Sequence, residues 1–378
     1  MPLRTGWMPR VLRGAIALIG GIALAAIAAE IALRVLAPIQ LRLRGTEIVL
    51  PVNTVTQGHN LNPTRLESEI TVRRNSLGFR GPDPPADFAR HLTLIAVGGS
   101  TTEDLFLTDG RTWTDLLAAR LAGELRDTWL DNAGLDGHST FGHLHLLDQM
   151  LLELEPDYVL FLIGVNDVDR DDANDFDLRV MHSQLGTWQR IVRASDLLST
   201  LAVLRRTERA RDLGVGHIPE LELAHCELAH EDSQALEELF RRQSEVCLPS
   251  YRERVVKLIE LARGGGIEPI LVTQPALYGS AVDPATGIDI GPLACEGWSA
   301  ATRWKQLELV NDVTRSVGAE RGVLVIELAH AMPKDSRLFY DWMHFSNRGA
   351  EVVAGIVAHA LIPYLRARHP ELARDGSG

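Results

Sequence analysis

Leu92-Thr93-Leu94-Ile95-Ala96-Val97-Gly98-Gly99-Ser100-Thr101-Thr102 decides how the rest of this 378-residue chain is read. Leu92–Val97 is a nearly unbroken apolar run, the pattern of a strand buried on both faces of a parallel sheet. Two glycines and a serine end it, and a helical pattern follows from about Thr112 to Leu125. In an open α/β sheet, ligands bind just beyond the carboxyl ends of the strands, so Ser100 stands where a nucleophile would be of use. Taken alone, Gly-Gly-Ser is as well explained by an ordinary strand-to-helix turn, where small residues are common.

Outward from that stretch the alternation continues. Thr128–Asn132, Tyr158–Ile163, Glu268–Thr273 and Gly322–Ile326 read as further short strands. Helical patterns at about Ser139–Glu153, Tyr251–Arg263 and Trp298–Gly318 lie between them, and one at Ser346–Leu365 closes the series. Five strands separated by helices imply a doubly wound, five-stranded parallel α/β sheet. Thr112-Trp113-Thr114-Asp115 has the Thr-x-x-acid form of a capping box and sets the start of the helix behind the first strand. Residues 168–248 interrupt the rhythm with acidic, then Arg-rich, helix-prone sequence, and 278–297 with Gly and Pro. Placed directly after the Asn166 loop, the first of these is expected to cover the mouth of a site as a lid or docking surface. Upstream, 39–90 reads as strands and turns, with Arg74–Gly81 as a hairpin turn and Pro82-Asp83-Pro84-Pro85 as a boundary.

The whole chain carries a formal charge of −12, which argues against nucleic acid as a partner. The first fifty residues differ, with six arginines against Glu30 and Glu47. Gly14–Ala29 is a 16-residue run without charge, and Ile31–Ala37 prolongs it past Glu30, broken only by Arg34. That length approaches the roughly 20 residues that span a bilayer. The continuation favours a retained transmembrane helix over a signal peptide cleaved near Ala26-Ile27-Ala28. Arginines flank both ends, so the positive-inside count is nearly balanced. An anchor before one large acidic domain is expected to leave that domain outside the cytoplasmic membrane, periplasmic or at the cell surface.

The domain plan is then an anchor at 1–38, a membrane-proximal segment at 39–90, an enzyme domain at 91–366 carrying the insertion 168–248, and a flexible tail at 367–378. Cys226, Cys247 and Cys295 form an odd set. In an oxidising compartment Cys226 and Cys247 make the easiest disulfide to close, and three reduced thiols are the alternative. No Cys/His cluster suggests zinc. His143 and His145, two apart on an expected helix, point to different faces. The run Asp167–Asp172 lacks the glycine and the final acid of a calcium loop. Neither a metal nor an organic cofactor is implied.

Four loops at one edge of the expected sheet carry the chemistry. Besides Gly98–Thr101, the second strand leads into Asn132-Ala133-Gly134-Leu135-Asp136-Gly137-His138 and the third into Gly164-Val165-Asn166-Asp167. Asp341-Trp342-Met343-His344 stands before the last helix. Acyl transfer at a serine needs a base for the hydroxyl proton, a carboxylate to orient that base, and donors for the developing oxyanion. His344 is the candidate base, and Asp341 reaches its ring if the segment turns. The Ser100 N–H, the Gly137 N–H and the Asn166 side-chain amide are the candidate oxyanion donors.

These blocks, in this order, resemble the SGNH (GDSL-like) hydrolase family in its membrane-anchored bacterial form. The family's serine block falls on Gly98-Gly99-Ser100-Thr101 and its second-block glycine on Gly137. Its Gly-x-Asn-Asp block falls on Gly164-Val165-Asn166-Asp167, and its Asp-x-x-His block on Asp341-Trp342-Met343-His344. The resemblance covers about 92–366, with 168–248 fitting poorly. It implies the family's flavodoxin-like fold, Ser100, Asp341 and His344 as catalytic triad, and an oxyanion hole from Ser100, Gly137 and Asn166. One departure is that Gly99 replaces the Asp of the name-giving Gly-Asp-Ser. That Asp lies outside the triad, so the nucleophile turn is expected to be shaped differently while the chemistry survives. Asn75-Ser76-Leu77-Gly78-Phe79-Arg80 also looks like a feature of membrane-anchored members, with Asn75 and Arg80 read as braces ahead of substrate contacts.

The implied function is a serine esterase that removes an O-acyl group, O-acetyl first, from an extracytoplasmic carbohydrate. A polysaccharide O-acyltransferase using the same acyl-enzyme and a non-catalytic cell-envelope binding protein on this scaffold are the competing readings. An α/β-hydrolase fits poorly, because Thr102 breaks Gly-x-Ser-x-Gly and Asp341 lies too near His344.

Overall fold

The computed structural model describes residues 10–36, 43–44, 47–48, 50, 52–60, 64–173, 177, 195–198, 200 and 221–374. The chain divides into two compact units, one of 1–49 with 182–216 and the other of 50–181 with 217–378. The expected insertion is thus split. Its middle groups with the N-terminal helix, and its two ends group with the sheet.

In the larger unit, an antiparallel hairpin of β1 (Thr54–His59) and β2 (Glu69–Arg74) precedes one parallel sheet. The sheet strands are β3 (Leu92–Gly98), β4 (Thr128–Asn132), β5 (Tyr158–Leu162), β6 (Glu268–Val272) and β7 (Leu324–Ile326). Their spatial order is β7-β6-β5-β3-β4, all parallel, which is the flavodoxin-like winding. Every residue of β3 and β5 is buried, which is why their sequences are continuous apolar runs rather than alternating ones. In such a sheet the winding reverses between β3 and β5, and the crevice at that switch point lies between the loops that leave them.

Helices cover both faces. Short α2 (Ser100–Glu103) leaves β3 directly, and α3 (Trp113–Glu124) follows it. The expected capping box is present: Thr112 Oγ1 accepts from Asp115 N, and the Asp115 carboxylate accepts from Thr112 N. Then come α4 (Thr140–Leu146), α5 (Ser233–Arg242), α6 (Leu248–Gly264), α7 (Ala300–Arg321) and α8 (Asn347–Arg368). α3 packs on α8, while α6 packs on α4 and α7. On α8, Val353, Val357, Leu361 and Leu365 recur every fourth residue and are fully buried, so one stripe faces the core. α8 is also long and apolar enough to cross a bilayer, and that stripe is spent on the core instead.

Two expectations are corrected. Arg74–Gly81 is not the hairpin turn, since β1 and β2 are joined through 60–68. It is a separate turn that Asn75 closes. Asn75 Oδ1 accepts from Leu77 N and Phe79 N, standing in for backbone, and Arg80 N then bonds to Asn132 O at the end of β4. The expected tail at 367–378 is docked through Arg374. Arg126 N bonds to Leu372 O and Arg374 N to Glu124 O, so the chain end pairs with the exit of α3; 375–378 lie outside the described residues. Of the two readings left open for the cysteines, the structure has the reduced one: Cys226 and Cys247 are not bonded, and all three thiols are free. Cys226 follows a short 3-10 turn, with its thiol on Glu222 O, while Cys247 is buried in the helical stretch between α5 and α6.

The smaller unit contains α1 (Arg10–Leu36), in which Gly14–Val35 is long and apolar enough to span a membrane. Its apolar side chains face outward, with Leu24 and Val35 about three-quarters exposed.

Candidate active site

Three side chains from opposite ends of the chain meet at the carboxyl edge of the sheet. Ser100 opens α2 where β3 ends, and its Oγ lies 2.7 Å from His344 Nε2. His344 Nδ1 lies 2.7 Å from Asp341 Oδ2. The other carboxylate oxygen, Oδ1, accepts from Met343 N at 2.9 Å and His344 N at 2.8 Å. Asp341 thus folds the Asp-x-x-His segment with one oxygen and orients the imidazole with the other, which is why the two residues lie three apart. Burial alone would raise the Asp341 pKa, but the charge of His344 and these hydrogen bonds outweigh it and hold the carboxyl below its usual range. The Tyr340 ring stacks on the His344 ring at 5.4 Å and 10°. Ser100, Asp341 and His344 are all largely buried, with Ser100 8% exposed.

The other two blocks converge on the same point. Ala133 N bonds to Ala96 O, and Leu135 N bonds to Gly98 O, so the second-block loop runs along the end of β3. Gly137 turns that loop at φ +73°, a conformation that favours glycine. Asn166 Nδ2 donates to His138 O at 2.9 Å, tying the third block to the second. At Gly99 a β-carbon would overlap Asn166 Nδ2 and come within 3.2 Å of His138 O. In this structure the Asn166 amide closes over the Gly99 backbone, in the space that a side chain there would enter.

The nucleophile turn is braced from the N-terminal side. Glu103 is fully buried and pairs with Arg74, while its Oε2 accepts from Asp136 N at 2.5 Å. The Arg80 guanidinium donates to the carbonyls of Glu103, Asp104 and Leu107, which fixes the loop that leaves α2. Asn75 Nδ2 donates to Asp131 Oδ2 and Pro82 O. Asn75 and Arg80 are thus both spent on the protein's own groups, as braces. Burial pushes the Asp131 carboxyl up to about 7, ahead of the opposing bonds from Asn75 and Asn132.

A polar cluster backs the second and third blocks. Asp167 accepts from Thr140 N and Thr140 Oγ1 and pairs with Arg254 at 3.2 Å. Asp177 accepts from Ser139 N, Ser139 Oγ and Gly142 N. Further along the run Asp167–Asp172, Asp169 faces Gln306 and Arg303, and Asp171 faces Arg242. His143 and His145 are buried in the core. Burial pulls His143 down to about 3, so it is neutral, and it stacks on His138. Tyr340, Glu103 and Arg74 were not singled out from the sequence. Their only local signal is adjacency: Tyr340 precedes Asp341, and Glu103 follows Ser100 by three.

Residues 96–352 match the profile of the GDSL-like lipase/acylhydrolase family. Esterase TesA of Pseudomonas aeruginosa is 26% identical over 185 residues, covering 49% of this chain and 83% of that protein. The crystal structure of a lipase/acylhydrolase from Enterococcus faecalis aligns with a TM-score of 0.42 and 16% identity, over 76% of this chain and 99% of its own. That of Axe2, an acetylxylan esterase from Geobacillus stearothermophilus, aligns with a TM-score of 0.41 and 16% identity, over 72% and 93%.

Proposed function

The chain belongs to the GDSL-like lipase/acylhydrolase family and is a serine hydrolase acting on ester bonds; from that premise we propose that Ser100, His344 and Asp341 are its catalytic triad. We further propose that it removes O-acyl groups, O-acetyl first, from an extracytoplasmic carbohydrate while α1 holds it in the membrane. The observation that carries the triad is the unbroken chain from Ser100 Oγ through both nitrogens of His344 to Asp341, with 2.7 Å at each link.

In this mechanism Ser100 Oγ bonds to the ester carbonyl carbon as its proton passes to His344 Nε2. The carbonyl electron pair moves onto oxygen, where the Ser100 N–H, the Gly137 N–H and the Asn166 amide receive it. One Asn166 amide hydrogen is held by His138 O, which orients the other toward the oxyanion. Collapse breaks the ester C–O bond, and His344 gives its proton to the departing alcohol. Water, deprotonated by His344, then attacks the acyl-enzyme, and Ser100 leaves with that proton. Asp341 stays ionised throughout, stabilising the imidazolium in both halves. The acetyl group and the carbohydrate are supported by the family resemblance together with an anchor that would keep the enzyme at the cell envelope.

The test is p-nitrophenyl acetate turnover by the full chain in detergent, beside Ser100→Ala, followed by acetylated xylan and other acetylated glycans. Hydrolysis without an added acceptor, abolished by the substitution, is expected. Turnover that requires a sugar acceptor would make it a transferase, and no acyl turnover on any of these would make it a binding protein.

A further inference from the structure

Glu30 is a carboxylate inside the most apolar stretch of the chain, five residues before the end of the span Gly14–Val35. At about 1.5 Å per residue this puts it roughly 7–8 Å inside the end of a hydrocarbon-spanning helix. A carboxylate at that depth persists only with partners, and an ionisable residue within a span points to a site. Glu30 has such partners. Oε1 accepts from Arg34 Nε at 2.7 Å and from Asp196 N at 3.0 Å. Oε2 accepts from Ser195 Oγ at 2.7 Å and from Leu197 N at 2.9 Å. A carboxylate has about four acceptor positions, and all are filled without water.

The other side of the contact is equally complete. A helical turn begins at Asp196, and the first N–H groups of any helix lack partners within it. Here the Asp196 and Leu197 N–H groups go to Glu30, and the Leu198 N–H goes to Ser195 Oγ at 3.2 Å. Arg34, one turn along α1, leads from Glu30 toward the end of the span, as a snorkelling side chain would. The segment 182–216 groups with 1–49 as one compact unit. It carries six arginines against Asp196, Glu208 and Asp212, a net +3 in a chain of −12, and so suits anionic headgroups.

We propose that residues 195–198 of the insertion enter the outer hydrocarbon of the bilayer beside α1 and are latched there by Glu30. The membrane module is then built from two segments that lie 165 residues apart in sequence. This rests on the reading of α1 as a retained anchor, and it replaces the expectation of a lid for the middle of the insertion with a membrane contact.

The experiment uses the full chain in nanodiscs of phosphatidylcholine and phosphatidylglycerol. Cys226, the one part-exposed thiol, is replaced by serine, and Leu198→Cys carries an environment-sensitive fluorophore. Blue-shifted emission, quenched by doxyl groups high on the acyl chain and not by aqueous iodide, is expected. Glu30→Leu should abolish the blue shift and admit iodide, and Ser195→Ala should shift the emission part of the way. Turnover of p-nitrophenyl acetate by each variant reports that the enzyme has folded. Alkaline carbonate extraction separates the two readings. Release of the unsubstituted protein by carbonate sinks the anchor itself. Retention with iodide-accessible label, or with a blue shift that survives both Glu30→Leu and Ser195→Ala, sinks the latch alone.

Discussion

At Gly99 the space for a side chain is already taken by the Asn166 amide. Gly99→Ala is therefore expected to push that amide off the oxyanion. The kcat on p-nitrophenyl acetate should fall about 10–10²-fold with KM little changed, the scale of a misplaced catalytic group. Asn166→Ala should cost about 10²–10³ in kcat, as loss of one oxyanion donor does. The double variant should be no worse than Asn166→Ala, because both act through one donor; additive losses would show that Gly99 acts elsewhere. At the triad, His344→Ala should cost at least as much as Asp341→Asn, with losses of about 10⁴ or more for His344. The reverse order would place the base on another residue. These positions were legible in the sequence because the chemistry dictates residue types at strand ends. The close approach of the Asn166 amide to Gly99 was not, since the two lie 67 positions apart in the chain.

Among the elements, the turn after β2 shows what local pattern leaves out. Asn-Ser-x-Gly reads as a hairpin turn, yet Asn75 uses its side chain to close the turn and to reach Asp131 across it. The burial of Asp131 beneath that turn has a signature in pH. Burial lifts Asp131 from an ordinary 3.8 to about 7, so between these values the folded protein holds a proton that the unfolded chain has released. The contribution of this group to stability is therefore greatest at the acid end and falls as pH rises through about 7. The Tm of the protein minus that of Asp131→Asn should shrink as pH rises from about 4 to 7 and stay level above. A difference that grows with pH would mean that Asp131 is ionised in its pocket. The order and type of the strands were legible because each is a short apolar run bounded by turn residues. The docking of 367–374 was not, because its backbone pairing with the exit of α3 and the bonds of Arg126 to Glu371 O and of His369 to Tyr158 join positions more than 200 residues apart.

For the molecule as a whole, composition marked out the acidic enzyme and the apolar N-terminal helix. Length and charge do not reveal that 182–216 groups with that helix, since the three hydrogen bonds that Ser195, Asp196 and Leu197 give to one glutamate follow no periodicity. The bonds to Glu30 also bear on how this protein can be cut and recombined. A leader that merely tethers is interchangeable, and any hydrophobic helix would serve in its place. A helix whose acid takes hydrogen bonds from a distant loop has to be inherited together with that loop. Deleting 1–38 alone is therefore expected to yield an active but self-associating enzyme by size-exclusion chromatography, whereas also bridging 182–216 with a short linker should restore a monodisperse one.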